Sequence, residues 1–165
     1  HDQEEAMTMA QRIAIMHLGW IAQTGSPIDI YETPTSRLVC EFIGNVNLFD
    51  GQITTDEVDH AVIDCPQLDK PIYIGHGVST RAENKSVSYA LRPEKLLMAT
   101  ALPEDHEHPE YNWCNGGHSV YYVKLTSGQV VQCFIANAER RGKRPTWDDP
   151  VVVYWEDDSG VVLQS

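Results

Sequence analysis

The chain has 165 residues, of which 42% are hydrophobic, and its 24 acidic and 12 basic residues give a formal net charge of −12 at pH 7. A chain of this length forms about one domain with a real core, and no apolar run approaches the roughly 20 residues that span a bilayer. An acidic chain lacks the basic face that binding to a phosphate backbone requires, so nucleic acid is not expected as a partner.

The first residues predict a capped helix that leads into a buried strand. Asp2 suits the N-cap position, and Glu5 follows three residues later as its capping-box partner. Residues 13–16 form a continuous apolar run, which is typical of a buried strand. Leu18-Gly19 then predicts a hairpin turn to a second strand at residues 20–23.

Two short helices are predicted next. The Ser-Pro pair at residues 26–27, with Asp29 in the first turn, is a strong helix start, and Pro34 ends that helix near residue 33. A second helix is predicted from about residue 35 or 36 to Phe42, with Gly44 as its C-terminal cap.

From Asn47 onward, short apolar or alternating runs follow one another with turn residues between them, which predicts an all-β barrel or sandwich. The predicted strands cover residues 48–54, 61–64, 72–74, 87–91, 95–98, 119–125, 130–135, 151–155 and 161–163. Turns at 126–128 and 157–160 are each predicted to close a hairpin, with Gly at a position of positive φ. The aromatic residues of the later strands are expected in the core: Tyr121, Tyr122, Tyr154 and Trp155.

Two segments invite a chemical interpretation that the pattern does not favour. Within thirteen residues lie four potential zinc ligands, His106, His108, Cys114 and His118. Their spacing matches no zinc finger and the segment is acidic, so a solvated loop is favoured and no metal site is predicted. The basic cluster at residues 140–144 is likewise interpreted as a solvated loop, with anion binding as the alternative. The four cysteines, Cys40, Cys65, Cys114 and Cys133, show no C-x-x-C spacing and are expected to be reduced thiols.

Several motifs resemble the C-terminal part of the ATPase subunits of ATP-binding cassette (ABC) importers. H-D-Q-E-E-A at residues 1–6 is similar to the switch-histidine segment of that family. G-S-P-x-x-I-Y-E-x-P at 25–34 and F-I-G-x-x-N at 42–47 resemble the segments that join the ATPase to its regulatory domain. A-L-R-P-E at 90–94 resembles the L-R-P-E motif of the transport-associated OB domain, called TOBE. Residues 144–163 look closest to the ATPase subunits of bacterial putrescine and polyamine importers.

The resemblance implies a mainly β fold. Residues 45–165 would form an OB-like (TOBE/MOP-type) regulatory β-barrel, and residues 1–44 a small α+β segment that ends an ABC nucleotide-binding domain. His1 would be the catalytic switch histidine, although a histidine before a helix cap is more often an ordinary surface residue. In the family such a residue holds the ATP γ-phosphate and the attacking water, and it acts by positioning rather than by covalent chemistry.

The resemblance also implies a function and partners for the complete subunit. It would use ATP and Mg²⁺ to couple ATP hydrolysis to the uptake of putrescine or other polyamines. It would form a homodimer at the cytoplasmic face of a bacterial inner membrane, with permease subunits and, indirectly, a periplasmic binding protein as partners. This chain holds no G-x-x-x-x-G-K-(S/T) motif, so by itself it is expected to bind no cofactor and not to hydrolyse ATP.

Two other functions remain open: a stand-alone small-ligand sensor built on the OB-like barrel, and a structural dimerisation module. The chain also departs from the family at one place. A further strand ending in Tyr-Leu-Gly normally precedes the segment matching residues 119–123, whereas here residues 113–118 run almost straight into it. About ten residues are therefore missing, and a barrel without that strand would have an open edge able to pair with a neighbour.

Overall fold

A computed structural model of the chain describes residues 3–78, 85–99, 118–136, 145–146 and 149–164. These ranges contain three helices, α1 (Gln3–Met9), α2 (Pro27–Glu32) and α3 (Arg37–Ile43). They also contain eleven strands: β1 (Ile13–His17), β2 (Trp20–Gly25), β3 (Asn47–Asp56), β4 (Ala61–Asp64), β5 (Ile72–Ile74), β6 (Ser86–Leu91), β7 (Leu97–Ala99), β8 (His118–Lys124), β9 (Val130–Ala136), β10 (Val152–Tyr154) and β11 (Val161–Gln164). No helix in the described ranges combines the length and apolar character needed to cross a membrane.

The helical segment forms as its local sequence predicts. β1 and β2 pair as an antiparallel hairpin, and the two turn residues, Leu18 and Gly19, have φ values of 48° and 86°, as a type I′ turn requires. Helix α2 starts with a complete capping box, because the Ser26 side chain accepts from the Asp29 amide and the Asp29 carboxylate accepts from the Ser26 amide. Gly44 is the C-terminal cap of α3. A small core of Ile15, Ile30 and Val39 joins the hairpin to both helices.

The main sheet has five antiparallel strands in the order β11-β6-β3-β4-β5. Strand β3 pairs with β6 through residues 47–52 and with β4 through residues 52–56, with a register shift between Ile53 and Thr55. This offset along one long strand, together with the irregularity, curls the sheet into a half-barrel.

Two strand pairs cover the concave side of this sheet, β8 with β9 and β7 with β10. The main core lies between the five-stranded sheet and these two strand pairs. Its fully buried members include Phe49, Ile53, Ile63, Ile74, Tyr89, Leu91, Val131 and Cys133. Trp155 stacks on Phe49 with ring centroids 5.9 Å apart and planes at 14°. Within the described ranges β8 has a strand partner on one side only, β9.

The mainly β, OB-like prediction is confirmed, and every predicted strand is present within one to three residues. The prediction that residues 157–160 close a hairpin is wrong, because β10 pairs with β7 whereas β11 pairs with β6, so this turn leads from one sheet to another. Gly160 does not need a positive φ. It is glycine because a Cβ there would lie 2.1 Å from Cζ of the buried Tyr89 ring.

The core assignment holds for two of the four aromatic residues, and Tyr154 is only partly buried and is not part of the main core cluster. Tyr121 and Trp155 pack against the main core, but Tyr122 is 69% exposed. Successive side chains of a strand point to opposite faces, so Tyr121 and Tyr122 could not both be buried on a sheet with one covered face.

Candidate functional site

The motifs picked out in the sequence meet where α2 and α3 contact the turn after β6. We call this region, formed by α2, α3 and residues 92–95, the joint. Its contacts join the two helices to residues 92–95, which lie about 50 to 60 positions later in the sequence.

Arg92 is the centre of the joint. Its side chain is buried, with the residue only 5% exposed, and Nη1 lies 3.2 Å from the Cys40 carbonyl oxygen, 3.3 Å from that of Gly44 and 3.2 Å from that of Asn45. Its Nη2 is 3.5 Å from the carbonyl oxygen of Tyr31. The guanidinium therefore donates to the end of α3, where helix geometry leaves the last carbonyl groups without partners, to the two residues that follow it, and to α2.

Tyr31 on α2 presents its ring to the same guanidinium. The Cζ atom of Arg92 stands 4.3 Å from the ring centroid, which is cation–π geometry. The Tyr31 hydroxyl donates to the Glu94 carboxylate. Burial raises the pKa of Tyr31, and the hydrogen bond to Glu94 raises it further, so the phenol stays protonated.

The turn after β6 also connects α2 with the rest of the barrel. Lys95 forms an ion pair with Glu32 on α2, with Nζ 2.5 Å from Oε2. On the other side of the turn, the Pro93 carbonyl accepts from the Phe134 amide of β9 at 2.9 Å. The L-R-P-E segment is thus the place where both helices and strand β9 are attached to β6.

Gly44 and Asn47, both in the F-I-G-x-x-N motif, support the joint in different ways. Gly44 has φ 158° and ψ −174°, a backbone conformation essentially confined to glycine, and this conformation turns its carbonyl toward Arg92. The buried Asn47 side chain pairs with the Gln132 backbone of β9, donating through Nδ2 and accepting through Oδ1, each at 2.8 Å. The amide of Asn47 therefore replaces a strand neighbour and fastens the β8–β9 hairpin to β3.

A second contact between α3 and the sheet lies at the edge of an open groove. Arg37 pairs with Asp50 at 3.1 Å and with Glu41 at 3.1 Å, and the Ser88 hydroxyl donates to Asp50. The groove measures about 550 Å³ and lies over β3, β4 and β6, with Gly51 in its floor. Its polar side chains are Arg37, Gln52, Asp50, Asp64, Ser86 and Ser88.

Most residues that the sequence suggested for chemistry lie outside the described ranges. These are His1, the candidate zinc ligands His106, His108 and Cys114, and the basic cluster at 140–144. Among described residues, one group of three potential metal ligands is close together in the β3–β4 turn: Glu57, Asp59 and His60, with ligand atoms within 4.8 Å of one another. Both carboxylates are exposed, and His60 contacts Asp59 and stacks on Tyr73, so local contacts account for the arrangement.

The contacts of the joint connect both helices to the barrel. The sequence alone predicted no role for Arg92 in the joint. One feature of the sequence could have indicated Arg92, because an arginine placed directly after the apolar end of β6 becomes buried and needs acceptors.

Comparison with known proteins defines the class to which this architecture belongs. The TOBE domain family matches residues 114–163, which include β8, β9, β10 and all but the last residue of β11. This part of the chain is similar to a TOBE domain.

The relatives extend this similarity over nearly the whole chain. The putrescine transport ATP-binding protein PotG of Escherichia coli is 44% identical over 176 positions, covering 99% of this chain and 45% of the relative. The spermidine/putrescine import ATP-binding proteins PotA of Trichodesmium erythraeum and Trichormus variabilis are 35% and 34% identical, again over 99% of this chain and 45% and 44% of the relatives. This chain is similar to the C-terminal, TOBE-containing part of ATP-binding subunits of putrescine and spermidine importers, and it spans less than half the length of these relatives.

The alignment with the Escherichia coli relative runs over 176 positions, against the 165 residues of this chain. That relative therefore has at least 11 residues without a counterpart here. Residues 100–117, where the missing strand was predicted to fall, lie outside the described ranges, so its absence stays a prediction.

Proposed function

We propose that this chain is the C-terminal regulatory portion of the ATP-binding subunit of an ABC importer that couples ATP hydrolysis to the uptake of putrescine or related polyamines. The observation that carries the proposal is the 44% identity to a putrescine transport ATP-binding protein over 99% of the chain. The joint supports it, because the motifs that resemble the family's connecting segments are the ones that hold helices and barrel together.

The proposal divides the chain at Gly44. Residues 1–44 would end the nucleotide-binding domain, and residues 45–165 would form the regulatory barrel. His1 would act as the switch residue in the complete subunit, which would bind ATP and Mg²⁺. The phosphate-binding loop would come from the part of the subunit that this chain does not contain, so the chain alone is proposed to be inactive toward ATP.

The partners follow from the same proposal. A second ATP-binding subunit would complete a homodimer, two permease subunits would anchor it at the cytoplasmic face of the inner membrane, and a periplasmic polyamine-binding protein would act through those permeases. The net charge of −12 gives no reason to add nucleic acid to this set.

A replacement experiment tests the function directly. This chain would replace the matching part of Escherichia coli PotG, and uptake of radiolabelled putrescine would be measured in cells that lack that subunit. We expect uptake within about fivefold of the unaltered subunit. A hybrid that is present at the membrane in normal amount but supports no uptake would contradict the proposal.

Two controls complete the experiment. A His1→Ala hybrid is expected to be present in the same amount and to lose uptake by at least about 100-fold, because the γ-phosphate and the water would no longer be positioned.

The isolated chain is screened with putrescine and spermidine for a thermal shift, and its mass in solution is measured by light scattering. A ligand-dependent shift in a chain whose hybrid is inactive would favour the sensor alternative, and dimerisation without any shift would favour the structural module.

A further inference from the structure

Arg92 differs from the other cations of the joint in how its charge is compensated. Arg37 and Lys95 pair with carboxylates and are 49% and 31% exposed at the side chain. Arg92 is 5% exposed, and no carboxylate in the described ranges forms an ion pair with it. Its charge is compensated by four backbone carbonyl groups and one aromatic face.

This form of compensation depends on geometry. Three of the acceptors belong to the end of α3 and the residues just after it, and they converge on a single nitrogen at 3.2–3.3 Å. Displacement of α3 along β6 by 1–2 Å, roughly one residue's rise in a helix, would take these oxygens out of hydrogen-bond range. The guanidinium would then stay buried without acceptors, which is strongly unfavourable. Partly displaced arrangements of the helices on the sheet are therefore disfavoured.

The apolar packing of α3 points the same way. Its two buried residues belong to different clusters: Val39 packs with Ile15 and Ile30, and Cys40 packs with Ala90 and Leu163 of β6 and β11. One helix thus supplies part of the core of the helical segment and part of the outer face of the barrel. Separating the two at Gly44 would expose both sets of side chains.

From these contacts we infer that α2, α3 and the barrel form a single rigid body, and that Arg92 is the positioning residue that holds it together. The mechanical boundary of the barrel then lies before α2 and not at the Gly44–Asn45 bond. A displacement of the barrel therefore moves α2 with it, and Ile30 of α2 contacts the β1–β2 hairpin across this boundary through Ile15. This inference goes beyond the proposed function, and its test does not depend on transport.

Hydrogen–deuterium exchange on the full 165-residue chain tests the inference. The amides of residues 40–43 in α3 are compared with those of the β3–β6 ladder, in the wild-type chain and in Arg92→Met. In the wild type we expect the two sets to exchange through the same opening, with protection factors within about threefold. In Arg92→Met the α3 amides should exchange at least tenfold faster than the ladder amides.

Arg37→Met is the matched control, because it removes an exposed ion pair between the same helix, α3, and another strand of the main sheet, β3. In this variant the α3 amides and the ladder amides are expected to keep protection factors within about threefold of each other. Arg92→Lys retains the charge but offers a single ammonium group to several carbonyl groups. The exchange rates of the α3 and ladder amides should therefore differ by a smaller factor than in Arg92→Met.

Three results would overturn the inference. In the first, the α3 amides of the wild type exchange more than 100-fold faster than the ladder. In the second, Arg92→Met accelerates both sets equally, which is what a general loss of stability would do. In the third, Arg92→Met fails to fold, and in the folded Arg92→Lys chain the α3 amides exchange no faster than the ladder amides.

Discussion

At the scale of single residues, Tyr31 shows how one side chain serves two neighbours at once. Its ring covers the Arg92 guanidinium, while its hydroxyl donates to Glu94. The ring and the hydroxyl can therefore be separated by mutation.

Tyr31→Phe should lower the free energy of unfolding by about 1 kcal/mol, since it removes one hydrogen bond to a charged acceptor and keeps the aromatic face. Tyr31→Ala should cost at least about 1 kcal/mol more, because it also removes the cation–π contact and the packing of the ring. Urea unfolding of both variants measures the difference. Equal losses for the two variants would show that the ring over Arg92 contributes nothing.

Gly160 gives a prediction of a different physical kind. Gly160→Ala should lower the free energy of unfolding by about 3 kcal/mol, because its Cβ would be 2.1 Å from Cζ of Tyr89, a fully buried ring that has no room to move away. Gly128→Ala is the control: its φ of 91° is unfavourable for alanine, but its Cβ would meet no atom within 4 Å. That variant should lose only about 1–2 kcal/mol. Thermal unfolding that ranks Gly128→Ala as the more damaging change would contradict this account.

At the scale of elements, the β8–β9 hairpin is attached to the main sheet by side chains rather than by a strand ladder. Asn47 makes two hydrogen bonds to the Gln132 backbone, and Gln129 makes one to the Leu48 carbonyl oxygen. The side chain of one buried asparagine therefore connects two sheets.

Asn47→Ala should lower the free energy of unfolding by about 1–3 kcal/mol, because the amide and carbonyl of Gln132 lose their partners in a part-buried position. The Gln132 amide should also exchange with solvent at least about tenfold faster than the amides of β3. Exchange measured by NMR at single residues checks both expectations. Gln129→Ala serves as the comparison, with an expected loss below about 1.5 kcal/mol for its single bond. An Asn47→Ala chain with an unchanged Gln132 exchange rate would refute the attachment.

The elements themselves could largely be predicted from the sequence, because their signals are local. The capping box at Ser26, the stop at Pro34 and the alternation of the later strands all act within a few residues. The pairing of β10 with β7 could not be predicted in this way, since adjacency in sequence suggested a hairpin with β11. Which strands become neighbours depends on the closure of the whole barrel.

The joint was only partly predictable. Resemblance identified its motifs, but the role of Arg92 arises from carbonyl groups that lie 47 to 61 positions away in sequence. No periodicity or spacing rule connects such positions. The function of His1 stays a prediction, because that residue lies outside the described ranges.

At the scale of the whole molecule, the buried thiols make the fold sensitive to alkali. Burial raises the pKa of Cys133 to about 11, and burial together with the charges of Asp64 and Asp50 raises that of Cys65 to about 11. An unfolded thiol titrates near pH 8.5, so above that pH the unfolded chain releases protons that the folded chain retains. The unfolded state then binds fewer protons, and stability falls as pH rises.

The two buried thiols should therefore leave the free energy of unfolding unchanged up to about pH 8 and lower it between about pH 8.5 and 11, by an amount on the order of 2–3 kcal/mol for each thiol. Urea unfolding at a series of pH values measures the slope. In Cys133→Ala the stability at pH 7 should be lower and the decline should be shallower. A flat profile to pH 11 in the unaltered chain would contradict the proposed burial of the two thiols in a shared core.

The contacts of Arg92 also have a consequence for how this chain is made. The helices that it joins are synthesised first, and Lys95, which completes the joint, follows Glu32 by 63 positions. At about 5–20 residues per second, a ribosome takes roughly 3 to 13 seconds to cover that distance. For most of this interval α2 and α3 have been synthesised without the residue whose side chain binds their carbonyl groups, and β11, which completes the sheet beside β6, is made later still. We expect the nascent helical segment to be protected only after β6 has emerged, so the order of synthesis delays its docking until the barrel can receive it.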